Sequence, residues 1–517
     1  MAGTLASVLL CRLTGSPFHC WPLVPFCWVP FVVALEGARP YEAVKLGLLQ
    51  GTLLNAAAFT WLPPALVKTA GVSWPGAAVL FSIFALAQGG RMALLAACVA
   101  LSGRARLSAA AVFPISLVAA ELVYPYVFPW QVAIFTCPVV AWMQLAEYGG
   151  PLVLSLWVGV ANASFASAWL HRRSGFARCF RRLTGGCLVV LGVTIAGRYL
   201  IESRRETMAA STLGYVAIIQ GNVGVSQPAA ADLVAVYRRA TRELLSRSPP
   251  VDLVVWPETA FSQPTPDSQL RTTLRDYVLH DENERVPAAL TSTPLLLGMV
   301  LQADGSDRRG SGAPLANGSL TNSAVLSDGH GRVLGRYDKR ELVPFGEQDA
   351  LASIPVIRDV LRAVTLFSPG ILRAPMSLNG RRLGISICYE DILRDSFRES
   401  VQETRPELLV NLTSDSWFAG SAAPELHLAL ASLRAVEHRR YLVRATNTGV
   451  SAIIDPTGKI AWRLPENTVA AAVAPVRFLV ADTLYERFGD LPWKLGTGAC
   501  GLGLLLRAMR SRREEIS

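Results

Sequence analysis

Apolar residues are distributed unevenly along this chain. Residues 1–200 fall into long hydrophobic runs separated by short polar or basic breaks, while residues 213–480 alternate on the shorter scale of a globular domain. A run of about 20 apolar residues is what a helix needs to cross a bilayer. The pattern predicts spans at Cys20–Leu35, Val44–Leu62, Pro75–Leu101, Leu107–Tyr126, Gly150–Leu170 and Leu183–Leu200, after a short first segment, Met1–Gly15, interrupted by Arg12. Val127–Ala146, rich in Pro and Trp, reads as a re-entrant or interfacial stretch, and Leu491–Leu506 as a last crossing. The expected membrane part is therefore an α-helical polytopic domain of about eight spans.

In the polar-rich part the period shortens. Tyr215–Gln220, Val251–Trp256, Leu295–Leu301, Ala324–Leu326, Arg332–Tyr337, Arg382–Cys388, Leu408–Thr413, Tyr441–Thr446 and Ser451–Ile454 read as strands, with an amphipathic helix at Ala229–Arg247. The turn Asp455-Pro456-Thr457-Gly458 leads into Lys459–Arg463. Strands interleaved with helices argue for a layered α/β domain. The expected division is a membrane domain at 1–205 with about seven helices, a water-exposed domain at 213–480, and a final helix with its tail at 488–517.

Composition agrees with that division. Charged residues make up 17% of the 517, against roughly 25% in soluble proteins, and the mean hydropathy is +0.34. The net charge of +10 is concentrated in breaks between apolar runs. Arg39/Lys45, Arg104/Arg106 and the cluster Arg172–Arg182 fall on alternate connections, which the positive-inside rule assigns to the cytoplasm. Residues 205–485 are then expected on the opposite side, and Arg507, Arg510, Arg512 and Arg513 hold the tail inside. No basic face with interleaved aromatics occurs in the globular part, so nucleic acid is not an expected partner. Arg91 and Glu121 interrupt apolar runs. Arg91 is expected to snorkel from a helix end, and Glu121 is an intramembrane carboxylate of the kind that often carries function.

Nine cysteines, an odd number, lie mostly in apolar segments, with no Cys/His ligand spacing. Neither a zinc site nor a disulfide framework is indicated. Cys388 stands apart, at the end of the strand-like Gly384-Ile385-Ser386-Ile387 and before Tyr389-Glu390-Asp391. A strand that breaks into a turn can present a nucleophile at a sheet rim, although a lone cysteine is as often buried and inert. Two further reactive groups follow strands in the same way: Glu258 after Val251–Trp256, and Lys339 after Arg332–Tyr337. Alone, each reads as ordinary surface charge. Together they supply a nucleophile, a base whose pKa burial would raise, and a cation to hold an oxyanion and favour the thiolate. None of the six histidines is needed, and His427 and His438 read as polar-face residues of a helix.

Glu–Lys–Cys is the triad of the nitrilase (carbon–nitrogen hydrolase) superfamily. The surrounding words are more specific: Trp256-Pro257-Glu258, Tyr337-Asp338-Lys339-Arg340 leading to Leu342-Val343-Pro344-Phe345-Gly346-Glu347, and Ile387-Cys388-Tyr389-Glu390. With Gln220-Gly221-Asn222 and a multi-span N-terminus carrying Ser16-Pro17-Phe18 and Trp21-Pro22, the chain resembles the apolipoprotein N-acyltransferase family across nearly its whole length. The resemblance implies a nitrilase-like αββα sandwich inserted before the last membrane helix of a bacterial inner-membrane protein, facing the periplasm. It implies a phospholipid acyl donor, a diacylglyceryl lipoprotein acceptor, a Cys388 thioester and ping-pong transfer, with no metal or cofactor. Glu258 would be the base, Lys339 the oxyanion partner and Glu347 an orienting carboxylate. Tyr389 and Glu390 would flank the nucleophile, and Trp417 would sit on a loop near the acyl chain. That loop departs from the family's Asn-Asp-Ala-Trp-Phe-Gly, reading Ser414-Asp415-Ser416-Trp417-Phe418-Ala419, and losing the glycine stiffens it. The spacing of Ile354, Ile357, Leu361, Val364 and Phe367 suits either an acyl-guiding stripe or simple packing. Alternative readings are a membrane-tethered amidase that releases its acyl group to water, and a transporter or scaffold with an inactive nitrilase-like domain.

Overall fold

The computed structural model describes residues 1–15, 18–223, 230–279, 293–304, 318–344, 347, 367–371, 375–418 and 420–516. The chain forms two compact units. One comprises Met1–Pro64, Ser73–Arg204 and Thr483–Ser517, and the other Ala65–Val72 and Arg205–Asp482.

The first unit is helical. Among the described residues, three helices are long and apolar enough to cross a membrane: Trp74–Ser102, Ala146–Leu170 and Phe176–Ala210. Two further apolar helices, Ala2–Thr14 and Ala109–Val123, are shorter. This is fewer than the eight crossings expected from hydropathy. The difference lies in how apolar sequence is used: Cys20–Leu35, read as one span, is a 3-10 turn at Trp21–Leu23 followed by a seven-residue helix, Val29–Leu35. The helix Phe176–Ala210 also runs through the basic cluster that was read as a break.

Arg91 does not snorkel. It is 2% exposed, its Nη1 lies 3.8 Å from Glu121 Oε1, and it donates to the Trp130 carbonyl at 2.6 Å. The Trp130 ring stacks against the guanidinium at 4.2 Å. Glu121 in turn accepts from the Val132 amide at 2.8 Å. The pair is an internal staple between apolar helices and the irregular segment after them.

The second unit is a four-layer sandwich. One sheet has the order β13-β1-β2-β4-β5-β6 with β3 beside β4, and the other the order β12-β11-β10-β9-β8-β7. The strands are β1 (Thr212–Gln220), β2 (Leu253–Val255), β3 (Phe261–Pro266), β4 (Leu295–Gln302), β5 (Leu320–Ser327), β6 (Val333–Asp338), β7 (Met376–Leu378), β8 (Arg381–Ile387), β9 (Leu408–Thr413), β10 (Leu442–Thr446), β11 (Ala452–Ile454), β12 (Ile460–Arg463) and β13 (Ala470–Phe478). Val216, Val255 and Leu326 of one sheet meet Ile385, Val410 and Val443 of the other in a single core. The outer faces are covered by Ala230–Leu245 on the first sheet and by Arg394–Thr404 and Ala423–His438 on the second. Strands covered on both faces read as continuous apolar runs, which is why β2, β9 and β10 are apparent in the sequence. β3, β7 and β13 were not read as strands. β13 is alanine-rich and contains Pro475, which only an edge strand tolerates readily.

Breaking the buried staple tests its role. Arg91→Leu removes the cation facing the buried Glu121 and should cost about 3–5 kcal/mol, seen as a lower melting temperature in detergent. Arg91→Leu with Glu121→Leu should recover most of that loss.

Candidate active site

The reactive residues gather where strands end. β2 and β4 run parallel, as do β8 and β9, and the carboxyl ends of parallel strands are where open α/β sheets place their ligands. Glu258 follows β2 and Cys388 follows β8 directly. Cys388 itself has φ +50°, the left-handed region, which costs a non-glycine residue about 1–3 kcal/mol. Thr259, next to Glu258, is similarly placed at φ +49°. At both positions the left-handed backbone turns the chain sharply off its strand.

Lys339 is 1% exposed and lies between two carboxylates. Its Nζ donates to Glu258 Oε1 at 3.2 Å and to Glu347 Oε1 at 2.8 Å. The backbone fixes it from both sides: its amide donates to the Asn322 carbonyl, and the Gly370 amide to its own carbonyl, both at 2.8 Å. Asn322 Nδ2 bridges Glu258 Oε1 at 2.8 Å and Glu347 Oε1 at 3.1 Å. The second oxygen of Glu258 accepts from the Ser414 amide at 2.8 Å, and that of Glu347 from the Val343 amide at 2.9 Å. Glu258 Oε2 thus retains a lone pair for an incoming proton.

Glu390 connects the lysine loop to the nucleophile strand. Its Oε1 accepts from Tyr337 Oη at 2.8 Å and the Arg340 amide at 2.7 Å, and its Oε2 from the Ile387 amide at 2.7 Å. Tyr389 is buried in the same 3-10 turn, Cys388–Ile392. Trp417 belongs to the turn Asp415–Phe418, but its side chain is outside the described residues, as are Ala419 and the stripe residues Ile354, Ile357, Leu361 and Val364. Phe367 is described and half-buried.

The electrostatics are those of a proton relay. Burial raises the Glu258 carboxyl above the ordinary range and Glu347 adds to this, while Lys339 and Asn322 pull it back. Burial alone would lower Lys339, but Glu258 and Glu347 outweigh it and hold the ammonium firmly protonated. The Cys388 thiol is pushed well up by burial and by the Glu258 charge, against the pull of Lys339. This corrects one expectation: Lys339 does not suffice to favour a resting thiolate, because two carboxylates share its charge. A proton passed from the thiol to Glu258 would leave the total charge of the cluster unchanged, which a buried site favours.

Two groups of residues were not anticipated. Asn322 lies in Thr321-Asn322-Ser323, three polar side chains in succession in a buried strand, and that break in an apolar pattern was the available signal. His427 and His438, read as polar-face residues, are both buried. His427 lies between Asp391 and Asp415, which also meet Arg444.

Two family models match the chain: "Carbon-nitrogen hydrolase" over residues 215–478 and "Apolipoprotein N-acyltransferase N-terminal domain" over residues 7–164. The apolipoprotein N-acyltransferase of Geobacter metallireducens is 28% identical, covering 100% of this chain and 96% of that protein. Its counterpart in Gloeobacter violaceus is 29% identical, covering 98% and 94%. Among solved structures, an amidase from Nesterenkonia sp. aligns at 19% identity and a TM-score of 0.34, over 55% of this chain and 96% of its own.

Glu258 is held through its backbone as well as its carboxylate. A Cβ on Gly298 would lie 2.5 Å from the Pro257 carbonyl and 2.6 Å from Glu258 Cα. Gly298→Ala should therefore slow iodoacetamide labelling of Cys388 at least about tenfold, and Glu258→Gln about a hundredfold or more. Labelling unchanged in both folded variants would contradict Glu258 as the partner of the thiol.

Proposed function

The chain belongs to the carbon–nitrogen hydrolase family, and from that premise we infer that it acts as an apolipoprotein N-acyltransferase, moving an acyl chain to lipoproteins at a membrane. The observation that carries this reading is the joining, on one chain, of a carbon–nitrogen hydrolase domain to the N-terminal domain specific to those acyltransferases. A tethered amidase has no use for that second domain, and relatives with this name match the chain end to end.

The mechanism we propose uses Glu258, Lys339 and Cys388. The donor is a phospholipid. Cys388 Sγ attacks the carbonyl carbon of its acyl ester while the thiol proton passes to Glu258. The carbonyl oxygen becomes an oxyanion, which the Lys339 ammonium stabilises; a donor of this kind is worth about 2.7–4 kcal/mol. The intermediate collapses, the C–O bond breaks, and the departing glycerol oxygen takes the proton from Glu258. A thioester and a lysophospholipid result. The α-amine of an S-diacylglyceryl cysteine then attacks the thioester, its proton passes to Glu258, and the thiolate leaves and is reprotonated. Glu347 and Asn322 keep the ammonium and the base in register throughout, Glu390 and Tyr389 seat the nucleophile turn, and Trp417 lies on the loop assigned to the acyl chain.

The distribution of basic residues supports an inner-membrane protein of about eight crossings, with the 213–480 domain facing the periplasm. On that side the acceptor amine and the outer-leaflet donor are both within reach of the thiol.

Incubating the purified full chain with phospholipid and a diacylglyceryl-cysteine peptide tests the activity. N-acylated peptide and lysophospholipid should form in equal amounts, and Cys388→Ala or Lys339→Ala should abolish both. Free fatty acid without N-acyl peptide would establish a hydrolase instead.

A further inference from the structure

The helix Ala423–His438 carries a histidine for which the acyl-transfer steps have no use. His427 is 8% exposed. Its Nε2 lies 2.7 Å from Asp391 Oδ1 and its Nδ1 2.9 Å from Asp415 Oδ1. An ionised carboxylate only accepts hydrogen bonds, so both ring nitrogens must donate, and a ring that donates twice is an imidazolium. Charge counting leads to the same state. Arg444 donates to Asp391 Oδ2 at 2.7 Å and to Asp415 Oδ2 at 3.1 Å. Two buried carboxylates facing one guanidinium would leave an excess negative charge in the interior, which a second cation removes.

The position of this cluster matters more than its strength. Asp391 lies in the turn that begins with Cys388. Asp415 directly follows Ser414, whose amide donates to Glu258 Oε2. Asn411 adds a further strand of the network, accepting from Arg444 at 3.1 Å and donating to the Cys388 carbonyl at 3.4 Å. The imidazolium therefore spans the turn that presents the nucleophile and the turn that orients the base. We propose that His427 is a positioning residue for acylation: its charged ring clasps these two turns together, and loss of that charge moves the thiol out of register with Glu258.

The proposal predicts a pH dependence. Asp391 and Asp415 favour the charged ring against burial and Arg444, raising His427 from its ordinary 6.5 to about 9. A pKa raised on folding gives a contribution fully present below about pH 6.5 and lost as pH rises through about 9. The charged groups facing the ring are Asp391, Asp415 and Arg444; Asp415 is lowered, Arg444 and His427 outweighing its burial. Ionisation of the Cys388 thiol would raise the rate, and Lys339 is held protonated well above that pH. A falling limb near pH 9 therefore reports His427.

The inference rests on Cys388 being the acylated residue, so the experiment follows acyl adduct on Cys388 by peptide mass in single turnovers of the full chain with phospholipid, from pH 6 to 10. The wild-type rate should fall about tenfold per pH unit above about 9. His427→Gln should acylate at least about tenfold more slowly at pH 7 with KM within about twofold, and should lose the falling limb. Adding Asp391→Asn, which rebalances the charge, should recover at least about threefold. A wild-type rate that holds to pH 10 in folded enzyme overturns the proposal even if no variant can be purified, and so does His427→Gln acylating at the wild-type rate. An adduct on another residue would instead overturn the nucleophile assignment and this proposal with it.

Discussion

A lysine ammonium enclosed by two carboxylates and shielded from solvent is the constraint on which this site depends. Lys339 donates to Glu258 and Glu347 from a position 1% exposed. An isolated charge there would be expelled or neutralised. The pairing keeps the cation charged, while burial and the neighbouring Glu347 lift the Glu258 carboxyl above its ordinary range against the pull of Lys339. The arrangement also limits the lysine: its pull on the Cys388 thiol is opposed by burial and by both carboxylates, which together raise the thiol.

The sandwich exists around this cluster rather than beside it. Two sheets pack face to face so that loops after β2, β6, β8 and β9 converge. Glu390 ties the β6 loop to the end of β8, Asn322 ties β5 to both carboxylates, and the Asp391–His427–Asp415–Arg444 network ties the β8 turn to the β9 turn. Each connection is polar and buried, so each fails expensively if one partner is removed. The backbone strain at Cys388 persists because these connections determine the turn from several directions.

What could be read in the sequence follows the same physics. Glu258, Lys339 and Cys388 were legible as candidates because each comes at or just after the end of a strand-like run, and they belong, like Glu347, Tyr389 and Glu390, to short recognisable words. The layered α/β class was legible because doubly covered strands are continuous apolar runs. Asn322 was missed because its strand was read only from Ala324 onward, leaving the polar half as loop. His427 was misread because helical periodicity places it, like any polar residue among apolar ones, on a solvent face; only the fold brings two aspartates from distant turns against it. Hydropathy measures apolarity and not helix length, so Cys20–Leu35 read as one span although it holds the 3-10 turn Trp21–Leu23 and the short helix Val29–Leu35.

The central claim is that one sulfur carries the acyl chain between donor and acceptor. The most direct measurement is to incubate the full chain with phospholipid bearing an isotope-labelled acyl group, without acceptor, and to map the label by mass spectrometry with and without hydroxylamine. The account predicts one labelled acyl group on Cys388, removed by hydroxylamine and consumed on adding the diacylglyceryl peptide. Labelled N-acyl peptide formed with no hydroxylamine-sensitive adduct on Cys388 would contradict it.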